Sequence, residues 1–101
     1  MDAPFEFQFE WDPFKARRNS RKHRITFERA ATVFLYPGML SRYDEEHNVG
    51  EERWITLGMD RTGTLLVVCH TYEELSDAKA RVRIISARKA TKNESRQYER
   101  Q

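Results

Sequence analysis

Cysteine is nearly absent from this chain. Cys69 stands alone among 101 residues, which excludes an internal disulfide and any cysteine-built zinc cluster. Within Leu65-Leu66-Val67-Val68-Cys69 it reads as a small buried hydrophobe. Long apolar runs are missing as well. None approaches the roughly 20 residues that a membrane-spanning helix needs, so no membrane association is expected. Near the start, Phe5-Glu6-Phe7-Gln8-Phe9 alternates where a secretion signal would have an apolar block. A cytoplasmic location is the expectation, and the glycosylation triplet Asn93-Glu94-Ser95 is then idle. There is no internal repeat and no low-complexity linker, and the length allows one domain over residues 1–101. A dominant charge of one sign is also lacking. The formal net charge of +2 is too small to argue for a nucleic-acid ligand by itself.

What the chain does have is charge in blocks. Charged residues make up 34% of it and hydrophobic ones 39%, so the core must be thin, and such chains often hide part of their surface in a partner. Lys15 to Arg24 is basic, Asp44 to Glu52 acidic, and Arg81 to Arg100 basic again. A single charge run is commonly just a solvated face. Two basic ends around an acidic middle indicate one basic surface and a separate acidic loop. Asp44-Glu45-Glu46-His47 has the residue types of a metal site, but no second cluster at a defined spacing supports it. Neither a metal nor a cofactor is expected.

Phe5, Phe7, Phe9 and Trp11 recur at period two and predict a half-buried strand with one aromatic face. Asp12-Pro13 then opens a helix to about Lys22, with aspartate as N-cap and proline as first helical residue. Lys15, Asn19 and either Lys22 or His23 share one face of it. Thr26 caps a second helix whose apolar face is Phe27, Ala30, Ala31, Phe34 and Leu35, and Tyr36-Pro37-Gly38 stops it. Trp11 and Phe14 read as core. Ser41 to Glu52 reads as an acidic loop, with one short strand near Met39 to Tyr43. Strands at Arg53–Met59 and Leu65–Tyr72 are joined by a hairpin at Asp60-Arg61-Thr62-Gly63. The second of them is apolar enough to be central. Glu73 to Lys79 reads as a connection, and the last strand is Ala80 to Ala87. The order β-α-α-(β)-β-β-β-α, with helices on a mostly antiparallel sheet, is that of an α+β domain.

The final strand places Val82, Ile84 and Ser86 on one face and Arg81 and Arg83 on the other. Thr91 with Glu94 forms a capping box that starts a last helix. Arg83, Arg88 and Lys89 gather beside that helix N-terminus, a setting suited to phosphate and hence to nucleic acid.

Several of these segments resemble the BrnT toxin family. They are Trp11-Asp12-Pro13 with Lys15, Asn19 and Lys22-His23, Phe27-Glu28 with Ala30-Ala31, and Glu51-Glu52-Arg53 with Gly58. The strand ending at His70-Thr71 and the segment Ile84 to Thr91 followed by Glu94 and Tyr98 complete the resemblance. Two positions and one connection depart from the pattern. Arg24 stands where the family usually ends its first helix on a left-handed glycine, Tyr36 stands where aspartate is common, and the Glu73 to Lys79 connection is long. The resemblance implies a RelE-like fold and a ribonuclease toxin of a type II toxin–antitoxin pair. It further implies neutralisation by a BrnA-like ribbon-helix-helix antitoxin, with operator DNA reached only through that antitoxin.

Metal-independent RNA cleavage uses the ribose 2′-OH as nucleophile. It needs a base, an acid for the leaving oxygen, and cations for the charge on the phosphorane. Arg83 and Arg88 are candidates for the cations, because guanidinium grips phosphate bidentately, although either one pairing with Glu94 or the acidic loop is the plainer alternative. His70 is the candidate acid or base, against a hydrogen-bonded histidine at a strand edge. Tyr98 is a candidate donor or stacking group, and Lys15 a candidate phosphate ligand or proton carrier. Lys89, Lys92, Lys22, His23 and Arg53 are expected to bind RNA. The competing reading is a non-catalytic nucleic-acid-binding module or repressor subunit that uses the same basic surface.

Overall fold

The computed structural model describes residues 5–47 and 50–100. Asn48 and Val49, inside the expected acidic loop, lie outside the described residues. Strand β1 (Glu6–Glu10) leads into α1 (Pro13–His23) and α2 (Phe27–Thr32), the latter prolonged by a 3₁₀ turn over Val33–Leu35. Then come β2 (Leu40–Tyr43), β3 (Arg53–Met59), β4 (Leu65–Thr71), β5 (Glu73–Ser76), β6 (Lys79–Lys89) and α3 (Lys92–Glu99). The sheet order is β1-β6-β4-β3-β2, with β5 also pairing β6. Only β1–β6 is parallel among these pairings.

Local chemistry sets the helix ends. The Asp12 carboxylate accepts from the Phe14 N–H at 2.8 Å with Pro13 as first helical residue, and Thr26 Oγ1 accepts from the Arg29 N–H at 3.1 Å. The hairpin turns at Gly63, whose φ of 82° costs glycine nothing. Gly38 is needed for a different reason. A Cβ there would lie 2.8 Å from the Tyr36 ring and 2.9 Å from the Tyr98 hydroxyl.

Strand alternation divides the sheet into two faces. One carries Leu66, Val68, Val82, Ile84 and Ala87, which pack against Ile25, Phe27, Ala30, Val33 and Phe34 from the helices. The partly buried Phe7, Phe9 and Trp11 extend that core. The other face is more open and carries Arg53, Arg83, Ser86 and Arg88.

Four expectations need correcting. Glu73–Ser76 is a strand pairing with β6, not a connection. Leu35 is 76% exposed, because the 3₁₀ turn rotates it off the face that holds Phe34. Phe14 is 75% exposed, with the Arg17 guanidinium 4.7 Å above its ring. Ser86 does not share a face with Val82 and Ile84. His70 pairs Ile84 while Cys69 pairs Ser86, so Ile85 is an extra residue that shifts the pleat. Cys69 itself is half-buried on the open face.

Candidate functional site

Beyond Arg83, β6 loses its parallel neighbour, since β1 pairs only as far as Glu10 with Arg83. Asn19 of α1 takes over the orphaned edge. Its Nδ2 donates to the Ala87 carbonyl at 2.8 Å and to the Ile25 carbonyl at 2.9 Å, and its Oδ1 accepts from the Ala87 N–H at 3.0 Å. Asn19 is 6% exposed, so it is an anchor and not a ligand. Docked this way, α1 turns Lys15, Arg18, Lys22 and His23 into a cleft floored by Ile85 and Ser86, with Arg53 of β3 across it. The structure thus brings together four of the expected residues: Lys15, Lys22, His23 and Arg53. Arg18 completes the group. Its spacing from Lys15 and Lys22, one helix face, is a signal already in the sequence.

Arg83 extends this cationic group. Its guanidinium donates to Glu51 Oε2, and the other Glu51 oxygen lies 3.5 Å from Arg53 Nη2. One carboxylate therefore bridges two guanidinium groups. Arg53 Nε is buried and has no partner among the described residues. Arg83 and Glu51 are 42% and 36% exposed. Such a pair is worth about 0–1 kcal/mol in water, so an incoming phosphate can displace it.

Arg88 is held more firmly. Its two terminal nitrogens meet the two Glu94 oxygens at 2.8 and 3.0 Å, a bidentate pair. The Arg88 hydrogen bonds hold the Glu94 carboxyl down at about 2, and that same bonding raises Arg88 above its usual value. Glu94 also closes the capping box with Thr91. Arg88 thus ties α3 to β6. Lys89 and Lys92 are exposed beside this junction. Tyr98 lines a separate cleft between α3 and Leu40, Arg42, Ile55, Leu57 and Val67. Its hydroxyl donates to the Gly38 carbonyl at 2.7 Å, and a hydrogen bond with Tyr36 pushes its pKa up to about 12.

His70 does not join the cationic group. It is 2% exposed on the helix-facing side of β4, edge-on to the Phe34 ring. Nδ1 donates to the Thr71 carbonyl at 2.8 Å, which leaves Nε2 to accept from Thr56 Oγ1 at 2.6 Å. Thr56 in turn meets Ser41 Oγ at 2.7 Å. Burial holds the imidazole below its ordinary pKa. His70 is thus hydrogen-bonded, as in the plainer alternative, but lies buried in a central strand and not at an edge, and its position gives an acid–base role no support. The parity of Leu66, Val68 and His70 along β4 was the available clue. In the acidic loop, Asp44 is buried and accepts from the Glu46 N–H at 3.2 Å, with His47 Nδ1 also at 3.2 Å. Among the described residues no group of three or more His, Cys, Asp or Glu side chains is placed to hold a metal, and no helix is long and apolar enough to cross a membrane.

Residues 11–94 match the family model described as ribonuclease toxin, BrnT, of type II toxin–antitoxin system. The chain belongs to the BrnT family. It is accordingly a ribonuclease toxin of a type II toxin–antitoxin system. The 1.1 Å crystal structure of the Brucella abortus ribonuclease toxin BrnT has a similar fold, with a TM-score of 0.57 at 16% identity. That likeness covers 86% of this chain and 100% of the Brucella chain. No curated protein matches in sequence. The BrnT match spans the whole cationic cleft, from Lys15 to Ser86, together with Arg83 and the Arg88–Glu94 clamp.

Proposed function

We propose that this BrnT-family chain cleaves RNA without a metal, by attack of a ribose 2′-OH on the adjacent phosphate, in the cleft between α1, β3 and β6. The convergence of Lys15, Arg18, Lys22, His23 and Arg53 on one cleft, with Arg83 alongside, carries this reading. Arg83, Arg53 and Lys15 grip the scissile phosphate and stabilise the charge that builds on the phosphorane. Lys22 and His23 hold flanking phosphates, and Lys89 and Lys92 extend the cationic track past Arg88. Arg88 and Tyr98 act mainly by seating α3 against the sheet. DNA lacks the nucleophile and is spared.

The chain works in the cytoplasm as one domain, and a BrnA-like ribbon-helix-helix antitoxin silences it by covering the cleft. Operator DNA is reached only through that antitoxin. Incubation of the purified chain with a long single-stranded transcript in excess chelator tests the chemistry. The expected result is cleavage to 2′,3′-cyclic phosphate ends, with the deoxy strand of the same sequence intact. Equal binding of both strands and no cutting of either would favour the non-catalytic module instead. Cutting that chelator abolishes and added divalent metal restores would contradict metal independence.

A further inference from the structure

The cleft supplies cations in excess, and the reaction also needs a group to take the 2′-OH proton. Among the described residues, His23 at the end of α1 is the histidine or carboxylate that lines the cleft, and the other acceptors lie outside it. His70 is buried on the opposite face with both nitrogens engaged. Glu94 is held as a carboxylate by Arg88 and serves the α3 cap. Asp44 is buried inside its own loop turn. Glu10 and Glu73 meet Arg81 at the far end of β6. Glu51 differs from all of these. It is 36% exposed and touches both Arg53, which lines the cleft, and Arg83 beside it.

That location has a chemical meaning. In the 2′-OH route the nucleophile is on the sugar that carries the scissile phosphate. A base must therefore stand beside whatever cations grip that phosphate, within about 2.6–3.2 Å of the hydroxyl in the bound state. A carboxylate already bridging those cations satisfies this before RNA arrives. When the phosphate takes over the guanidinium hydrogen bonds, an oxygen of Glu51 is released next to the ribose. The bridge is weak enough, at this exposure, to be exchanged in that way.

We infer that Glu51 is the general base of the reaction, a role that rests on the cleft proposed above as the site of cleavage. Glu51 accepts the proton of the 2′-OH as the 2′-oxygen bonds to phosphorus. The bond from phosphorus to the 5′-oxygen breaks, and that oxygen takes a proton from water or from the protonated side chains of the cleft. The products are a 2′,3′-cyclic phosphate and a free 5′-hydroxyl. No oxidant, reductant or further reactant is required.

The test compares Glu51→Gln, Glu51→Asp and Arg83→Ala with wild type in single-turnover cleavage of a long single-stranded transcript across pH, each variant first checked for wild-type thermal unfolding. Affinity is measured in parallel on the non-cleavable deoxy strand. Glutamine keeps an acceptor for Arg83 but cannot take the proton. Its rate should fall by about 10²–10⁴-fold, the usual contribution of a positioned base. Affinity should hold or tighten, because a negative charge is gone, and the acidic limb of the pH profile should flatten. Aspartate should retain more rate than glutamine. A Glu51→Gln rate equal to or above wild type, with Arg83→Ala impaired, would overturn the base assignment and leave Glu51 as a counter-ion. Wild-type rates for both variants would instead place cleavage outside this cleft.

Discussion

Asn19 and Arg24 show how much of this architecture depends on single side chains. Asn19 makes three hydrogen bonds to backbone groups that its neighbours cannot otherwise satisfy. Replacing it with alanine strands the Ala87 N–H and two carbonyls in a buried site. The expected loss is about 2–4 kcal/mol, read as a lower urea midpoint; an unchanged midpoint would mean the edge is satisfied some other way. Arg24 ends α1 at φ 62°, in the left-handed region, while its N–H donates to the Ser20 carbonyl at 2.9 Å. A side chain there costs about 1–2 kcal/mol that glycine avoids, partly offset by glycine's greater freedom when unfolded. Arg24→Gly should therefore raise the melting temperature, with a gain of about 0.5–1 kcal/mol. A drop would show that the arginine makes compensating contacts. The left-handed end at this position was legible in advance, because the resemblance put glycine there. Glu51 was not. Its bridging role appears only once Arg53 and Arg83, 30 residues apart in sequence, meet across the sheet.

At the level of elements, the parts fixed by local chemistry could be read from the chain. The Asp12-Pro13 start of α1, the Thr26 cap and the Thr91–Glu94 box depend on neighbours within a few residues, and so does the Gly63 turn. β5 could not be read, because Glu73-Glu74-Leu75-Ser76 is exposed throughout and has no alternation to betray a strand. It exists through its pairing with β6. The bulge at Ile85 is likewise a property of two strands together, and it alone moves Ser86 to the cleft side. The α3 junction gives a pH-dependent prediction. Glu94 falls from 4.5 to about 2 on folding. A depressed carboxyl stabilises the fold above its unfolded pKa and loses that contribution as pH falls from 4.5 toward 2. With Arg88 41% exposed and water screening the pair, the contribution is about 1 kcal/mol. Buried, neutral His70 acts in the same direction from 6.5 downward, since unfolding lets it take a proton. Acid titration of stability should show the lower window vanish in Glu94→Gln while the upper one stays. Persistence of the lower window would assign it to other carboxylates.

Across the whole molecule, charge is sorted in a way that the net value of +2 conceals. The cations of α1 and β3 converge from separate stretches of sequence onto one cleft, and the acidic loop leading into β3 links them through Glu51 to Arg83 of β6. The uneven charge blocks announced one basic surface. They set the acidic loop apart from it, whereas the plainer alternative weighed for Arg83 and Arg88 is what the structure has: Arg83 pairs with Glu51 of that loop and Arg88 with Glu94. The sheet also separates residues that looked equivalent. Arg83 faces the open side with the cleft, while His70 faces the helices. The most direct measurement is single-turnover RNA cleavage by folded Arg83→Ala and Lys15→Ala beside Arg88→Ala, with affinity measured in parallel. A loss of about 10²–10³ in rate is expected for Arg83→Ala, of the size seen when one charge-stabilising donor is removed. Lys15→Ala should fall as well, affinity should change less than rate, and Arg88→Ala should act mainly through lower stability. Wild-type turnover in the first two variants, with collapse confined to a stably folded Arg88→Ala, would contradict the cleft assignment and move the site to the α3 junction.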